Sequence, residues 1–87
     1  MKIIKNGQEF KVLGNGVEMV FFIKYQNGSN ILKRMMATID GVDLNVSESG
    51  LTYKKSGRGR IKNEKVVFQK IEETERWIRK EGYSITI

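Results

Sequence analysis

The chain has 87 residues, of which 39% are hydrophobic and 30% are charged, and its formal net charge at pH 7 is +6. This length and composition indicate a single globular domain, residues 1–87, with a modest core and no large internal cleft. The longest apolar run covers residues 20–23, far short of the roughly 20 residues that a membrane span needs. No apolar stretch of signal-peptide length follows the amino terminus, so a cytoplasmic protein without membrane contact is expected.

The absence of two residue types limits the reactions and metal sites that the protein can support. The chain contains no Cys and no His, which excludes disulfides, thiolate zinc sites and cysteine nucleophiles, and removes the residue that most often transfers protons near neutral pH. Glu72, Glu73 and Glu75 are interpreted as a solvated helix face rather than as catalytic carboxylates. The sequence therefore predicts a protein that is not an enzyme and has no catalytic residue, metal ligand or cofactor.

Four Asx-Gly pairs separate strand-like runs in the first half of the chain. Asn, Asp and Gly adopt positive φ angles at low cost, which suits the two-residue turns whose twist matches that of antiparallel strands. The pairs are Asn6-Gly7, Asn15-Gly16, Asn27-Gly28 and Asp40-Gly41. Their spacing of nine to thirteen residues predicts short strands joined in sequence as an antiparallel meander.

Alternating apolar residues place the strands between these turns. Strands are predicted at residues 2–5, 8–13, 17–25, 31–39, 42–47 and 51–55, with residues 60–68 extended at least in part and residues 83–87 as a closing strand. In the third strand, Met19 and Phe21 are expected to point one way. In the fourth strand, Met35, Ala37 and Ile39 are expected to share a face.

The hydrophobic period changes from two to about 3.6 residues near the carboxyl terminus. Val67, Ile71, Thr74 and Ile78 fall on one helical face. Gly82 suits the position that ends a helix. A helix is therefore predicted over residues 69–81. The fold class is α+β, with an antiparallel β-meander of five to seven short strands, open or curled towards a barrel, one carboxyl-terminal helix and a closing strand.

The closing strand has an edge that needs a partner. Alternating apolar residues at positions 83–87 favour strand addition, because an unpaired edge exposes backbone donors and acceptors. This strand is expected either to pair inside the sheet or to form the seam of a homodimer.

Positive charge is concentrated in one glycine-containing stretch, KKSGRGRIKNEK, at residues 54–65. These twelve residues hold six Lys or Arg and one Glu, so +5 of the net charge of +6 lies here. Arg58 and Arg60 carry forked donors that match phosphate oxygens, and the flanking lysines add longer-range attraction. A solvated hairpin that only aids solubility is the competing interpretation, although +5 exceeds what solubility requires.

The predicted nucleic-acid contacts combine this basic stretch with residues next to it and on the fourth strand. Tyr53 adjoins the stretch and offers a ring on which a base can stack. The predicted site residues are Tyr53, Lys54, Lys55, Arg58, Arg60, Lys62, Lys65, Lys33 and Arg34. The leading hypothesis is a small non-enzymatic module that binds the phosphate backbone of DNA or RNA.

The alternative hypothesis is an inhibitor or adaptor that binds another protein. In general character, this compact, Cys-free chain, rich in Lys, Ile and Asn and with tight turns, resembles the small proteins that phages and mobile elements use against host defence systems, such as anti-CRISPR proteins. The resemblance covers no motif. It implies an acidic protein surface or a ribonucleoprotein as the partner, and the sequence leaves both hypotheses open.

Overall fold

Seven strands and one helix make up the part of the chain that the structure describes. The structure, a computed structural model, describes residues 1–50, 52–57 and 61–86, without the side chains of residues 26 and 86. The elements are β1 (Lys2–Asn6), β2 (Glu9–Gly14), β3 (Val17–Gln26), β4 (Ser29–Ile39), β5 (Val42–Val46), β6 (Tyr53–Lys55), α1 (Glu64–Lys80) and β7 (Ser84–Thr86). The predicted α+β meander with a carboxyl-terminal helix and a closing strand is confirmed.

The strands form one open sheet. β1 to β6 pair in chain order as an antiparallel meander, and β7 pairs in parallel with β4. β4, with 11 residues, is long enough to have two neighbours on one edge, β7 near its start and β5 near its end. Because β1 and β6 lie at opposite ends of the strand order, the sheet does not close and the barrel form is not observed. The closing strand pairs inside the sheet, which was the first of its two predicted outcomes.

The Asx-Gly pairs form the predicted turns, with one shift. Positive φ angles occur at both residues of Asn15-Gly16, Asn27-Gly28 and Asp40-Gly41. Two successive positive φ angles in a two-residue loop are the signature of a type I′ turn. The first pair differs, because Asn6 stays in β1 while Gly7 and Gln8 form the turn.

The core lies between α1 and one face of the sheet. Phe10 meets Phe21 edge to face, with ring centroids 6.2 Å apart, and its ring also lies 4.7 Å from that of Tyr83 just after the helix. The buried hydrophobic side chains are Phe10, Val12, Val17, Met19, Phe21, Leu32, Ala37, Ile39, Leu44, Tyr53, Val67, Ile71 and Ile78. The helical face predicted from residues 67, 71 and 78 is therefore confirmed.

The helix begins earlier than predicted. It spans Glu64–Lys80, so the prediction of an extended conformation is wrong for residues 64–68. The β-branched pair Val66 and Val67 favours a strand locally, but Val67 packs into the core one helical turn before Ile71. The predicted stop at Gly82 is confirmed, because its N–H donates to the carbonyl of Arg79 at 3.0 Å directly after the C-cap.

A β-bulge interrupts the pairing of β3 with β4. Val20 lies opposite Met36, but Phe21 lies opposite Arg34, which leaves Met35 as the extra residue. A bulge changes the alternation of side chains along a strand. The prediction that Met35 shares a face with Ala37 is therefore wrong: Met35 is 46% exposed, whereas Ala37 is completely buried.

The other side of the sheet has no covering element among the described residues. We call it the open face, and none of its side chains is fully buried. By strand register and the bulge it comprises Lys2, Ile4, Asn6, Glu9, Lys11, Leu13, Glu18, Val20, Phe22, Lys24, Ile31, Lys33, Met35, Met36, Thr38, Asp43, Asn45 and Lys54.

Replacing Gly28 by Val tests the β3–β4 turn. Gly28 has a φ of 78°, and no atom lies within 4 Å of the position that a Cβ would take, so the substitution strains the backbone without a clash. We expect a loss of about 1–3 kcal/mol in the free energy of unfolding, measured by urea denaturation. Ser29→Val, at the exposed first residue of β4, is the control and should have little effect. Equal losses for both variants would contradict the requirement for a positive φ at Gly28.

Candidate functional site

The predicted contact residues lie in different environments. Lys33 and Lys54 are exposed on the open face. Lys62 and Lys65 are exposed at the start of α1, and Lys55 is half-buried. Arg58 and Arg60 lie outside the described residues. Arg34 and Tyr53 point to the side that the helix covers.

Arg34 joins the sheet to the helix through a two-point ion pair with Glu75. Its Nε donates to Oε2 at 2.7 Å and its Nη2 donates to Oε1 at 2.9 Å. The two side chains are only 10% and 8% exposed. Such forked pairing fixes the relative position of both groups. The hydrogen bond from Arg34 to the Glu75 carboxylate raises the pKa of the guanidinium above its ordinary value, which opposes the lowering caused by burial.

The same guanidinium also holds the loop between β5 and β6. Arg34 Nη1 donates to the carbonyl of Gly50 at 3.1 Å. Within that loop, the N–H of Gly50 donates to the backbone carbonyl of Ser47 at 2.9 Å, and the N–H of Ser47 donates to the backbone carbonyl of Thr52 at 2.8 Å. Arg34 therefore connects three parts of the chain: β4, the β5–β6 loop and α1.

Tyr53 lies beside this ion pair and belongs to the core. It is only 4% exposed, and its hydroxyl has no hydrogen-bond partner among the described residues. Arg34, Tyr53 and Glu75 line a cavity of about 110 Å³. Burial raises the pKa of the Tyr53 hydroxyl well above its ordinary value; the Glu75 carboxylate raises it further, and Arg34 partly opposes both. In this position the ring is not accessible for stacking on a base.

The interpretation of Glu75 as part of a solvated helix face is wrong. The sequence contains a signal for its burial, since Glu75 follows Ile71 by four residues and precedes Ile78 by three, both on the apolar face. An acidic residue on that face requires a buried cation, and Arg34 supplies it from 41 positions earlier in the chain.

The described part of the basic stretch runs from the open face to the start of the helix. Lys54 begins it on the open face, and the N–H of Ser56 donates to the Asp43 carbonyl at 3.0 Å. At the other end, Lys62 lines a depression of about 420 Å³ with Val42 and Val66. The described residues of the stretch therefore begin on the open face, at β6, and end on the helix-covered side.

The helix start has an uncapped geometry. Asn63 occupies the N-cap position with a φ of 53° and makes no side-chain capping hydrogen bond. The first N–H groups of a helix have no acceptor within the helix, so this end carries a partial positive charge. Glu64 in the first turn partly compensates that charge. The helix end adds to the positive potential of the basic stretch and contains no preformed site by itself.

An apolar groove of about 530 Å³ crosses the open face. Val20, Phe22, Met35 and Met36 contribute its apolar walls, and Glu9 lies at one end. The bulge is responsible for the two consecutive methionines, because it adds Met35 beside Met36 instead of turning it to the core. Regular alternation in β4 would turn Met35 to the core, so the sequence pattern alone does not indicate this groove.

Comparison with protein-family models, with curated proteins and with solved structures finds no match to this chain. No helix within residues 1–50, 52–57 and 61–86 has the length and apolar content required to cross a membrane. In the same ranges, no three acidic side chains are grouped as metal ligands would be.

Removing one partner of the Arg34–Glu75 pair should be costly. Glu75→Leu leaves the guanidinium buried without its counter-charge, and we expect a loss of about 3–5 kcal/mol in the free energy of unfolding. Glu72→Leu is the matched control. Glu72 lies on the same helix but its side chain is exposed, so its replacement should cost less than about 1 kcal/mol in the free energy of unfolding. The double variant Arg34→Met/Glu75→Leu should recover most of the loss, because it removes both buried charges. Equal effects of Glu75→Leu and Glu72→Leu would contradict the structural role of the pair.

Tyr53→Phe should change the dependence of stability on pH. In the folded protein the pKa of Tyr53 is raised, so its contribution to stability is complete below the ordinary tyrosine pKa, near 10, and is lost as the pH rises above it. The wild type should therefore lose about 1.4 kcal/mol more per pH unit above about pH 10 than the variant does. At pH 7 the variant should stay within about 1 kcal/mol of the wild type, because no hydrogen bond to a described residue is lost.

The measurement is urea denaturation between pH 7 and pH 11.5, with Tyr25→Phe as the control. Tyr25 is 75% exposed, so its loss should leave the pH profile of the wild type unchanged. Parallel profiles for the wild type and Tyr53→Phe would contradict the raised pKa.

Proposed function

We propose that the chain is a small, non-enzymatic module that binds the phosphate backbone of nucleic acid through residues 54–65. The concentration of charge carries this proposal: twelve residues hold +5 of a net charge of +6. Lys54, Lys62 and Lys65 are exposed and make no ion pair with any described residue, so their charge is available to a ligand.

The arrangement favours phosphate contacts rather than recognition of a base sequence. Lysines interact with phosphates as point charges, and phosphate contacts give affinity and salt dependence without sequence information. Tyr53, the residue expected to stack on a base, is buried, and Arg34 is held by Glu75. The proposed interface therefore comprises Lys54, Lys62 and Lys65 with Arg58 and Arg60, and it leaves out Tyr53 and Arg34.

Salt titration tests the proposal. If residues 54–65 neutralise about four or five phosphates, the slope of log affinity against log salt concentration should be roughly −3 to −5. Arg58→Ala/Arg60→Ala should make this slope shallower by about two units if each arginine makes one phosphate contact. Gel-shift titrations of single- and double-stranded DNA and RNA at several salt concentrations give the slopes.

A matched control separates local contacts from total charge. Arg76→Ala/Lys80→Ala removes the same two charges from exposed positions on α1 and should leave the slope unchanged. Equal effects of the two double variants would contradict a local phosphate site. If none of the four nucleic acids binds below about 100 µM, the weak end of ordinary non-specific affinity, the proposal fails and the basic stretch is directed at an acidic protein surface.

A further inference from the structure

The groove on the open face is lined by none of the residues of the proposed phosphate contacts. It lies between β2 and β5, and its apolar walls include Val20, Phe22 and Met36, all only half-buried. Met35 adds an apolar side chain that is 46% exposed. A concave surface with apolar walls is the kind of groove in which an amphipathic helix packs. Methionine side chains adjust to partners of different shape, which suits a protein-binding groove.

The charges around the groove are arranged unevenly. On the side of β4 and β6, Lys33 lies opposite Phe22, and Lys54 lies two strands away from Met36. Neither makes an ion pair within the described part of the chain. On the side of β2, Lys11 is neutralised by Glu18, with the Nζ–Oε1 distance at 3.4 Å, and Glu9 adds a negative charge. The rim therefore carries two lysines on β4 and β6 that are unpaired among the described residues, with Asp43 of β5 also on this side, and it is neutral to acidic along β2.

From this complementarity we infer that the groove binds an amphipathic helical segment of a partner protein, with acidic residues beside its apolar stripe. The apolar stripe would pack on Val20, Phe22, Met35 and Met36, as in other helix-in-groove complexes. The acidic residues would face Lys33 and Lys54. This inference does not depend on nucleic-acid binding by residues 54–65.

Two other occupants fit the groove less well. A second copy of the chain would place open faces with five lysines and three acidic residues against each other, so like charges would meet. Single-stranded nucleic acid prefers several aromatic rings for stacking, and Phe22 is the one aromatic residue of the described open face.

The test uses a synthetic helical probe of about 18 residues, or five turns, with leucines along one face and glutamates elsewhere. Its binding is followed by backbone amide NMR shifts of the ¹⁵N-labelled chain and by fluorescence anisotropy. We expect shifts at residues 20–22 and 33–36 that saturate with the probe. A scrambled peptide of the same composition should bind at least about tenfold more weakly, because its leucines no longer form one face.

Two charge reversals test the orientation. Lys33→Glu should weaken binding of the acidic probe about tenfold, whereas Glu9→Lys, on the opposite rim, should strengthen it. Met35→Ser should weaken binding several-fold, while Val66→Ser, which removes a similarly exposed apolar side chain on α1, should leave it unchanged. Thermal melting of each variant confirms that it is folded.

The opposing outcomes are distinct. No shifts at millimolar probe, equal binding of the scrambled peptide, or shifts confined to residues 54–65 would each overturn the inference. Concentration-dependent shifts of the open face without probe would assign the groove to a second copy. Shifts of the open face on addition of oligo(dT), in the absence of any with the probe, would assign it to nucleic acid. Loss of nucleic-acid binding alone would leave the inference intact.

Discussion

One helix of 17 residues has to cover the whole core of this protein, because no other described element lies against the sheet. Such a helix is about 25 Å long, and six strands at ordinary spacing span about 24 Å, so α1 is large enough for one face and no more. The buried side chains accordingly lie on a single side of the sheet. The opposite side keeps its half-exposed Val20, Phe22 and Met36. One-sided coverage therefore determines both where the core is and where an apolar surface remains.

The bulge in β4 links the two sides. It turns Arg34 towards the helix, where the guanidinium pairs with Glu75, and adds Met35 next to Met36 on the open face. The same irregularity therefore positions the ion pair that joins the sheet to the helix and the methionines that line the groove. With regular alternation, Arg34 and Met36 would point to the same face, because alternate residues of a strand share a face. Either the ion pair with Glu75 or the pair of methionines in the groove would then be lost.

The sequence predicts the elements that depend on local chemistry. Asx-Gly pairs identify the turns, because positive φ is a property of those residues themselves, and the spacing of Val67, Ile71 and Ile78 identifies the buried face of the helix. The same kind of local pattern fails at Val66, where β-branched residues suggest a strand but tertiary packing favours the helix.

Features that depend on contacts between distant parts of the chain are not predicted by local sequence patterns. The bulge results from the register between β3 and β4, which no single strand encodes by itself. Burial of Arg34 and Tyr53 likewise depends on α1, and it is the reason that the proposed interface leaves both residues out. Predictions based on charge are less affected, because lysine side chains are at the surface in most folds. The exposed lysines here are Lys33, Lys54, Lys62 and Lys65.

Lys54 belongs to both proposed surfaces, which couples them. It is the first residue of the basic stretch and also lies on the rim of the groove. A phosphate backbone bound along residues 54–65 would place negative charge within a Debye length of that rim, about 10 Å at 0.1 M salt. The same charge would repel the acidic residues of a helical partner, so occupation of either surface would lower the affinity of the other by the same factor. The two proposals therefore describe a protein whose ligands compete through shared electrostatics, without a change in the fold.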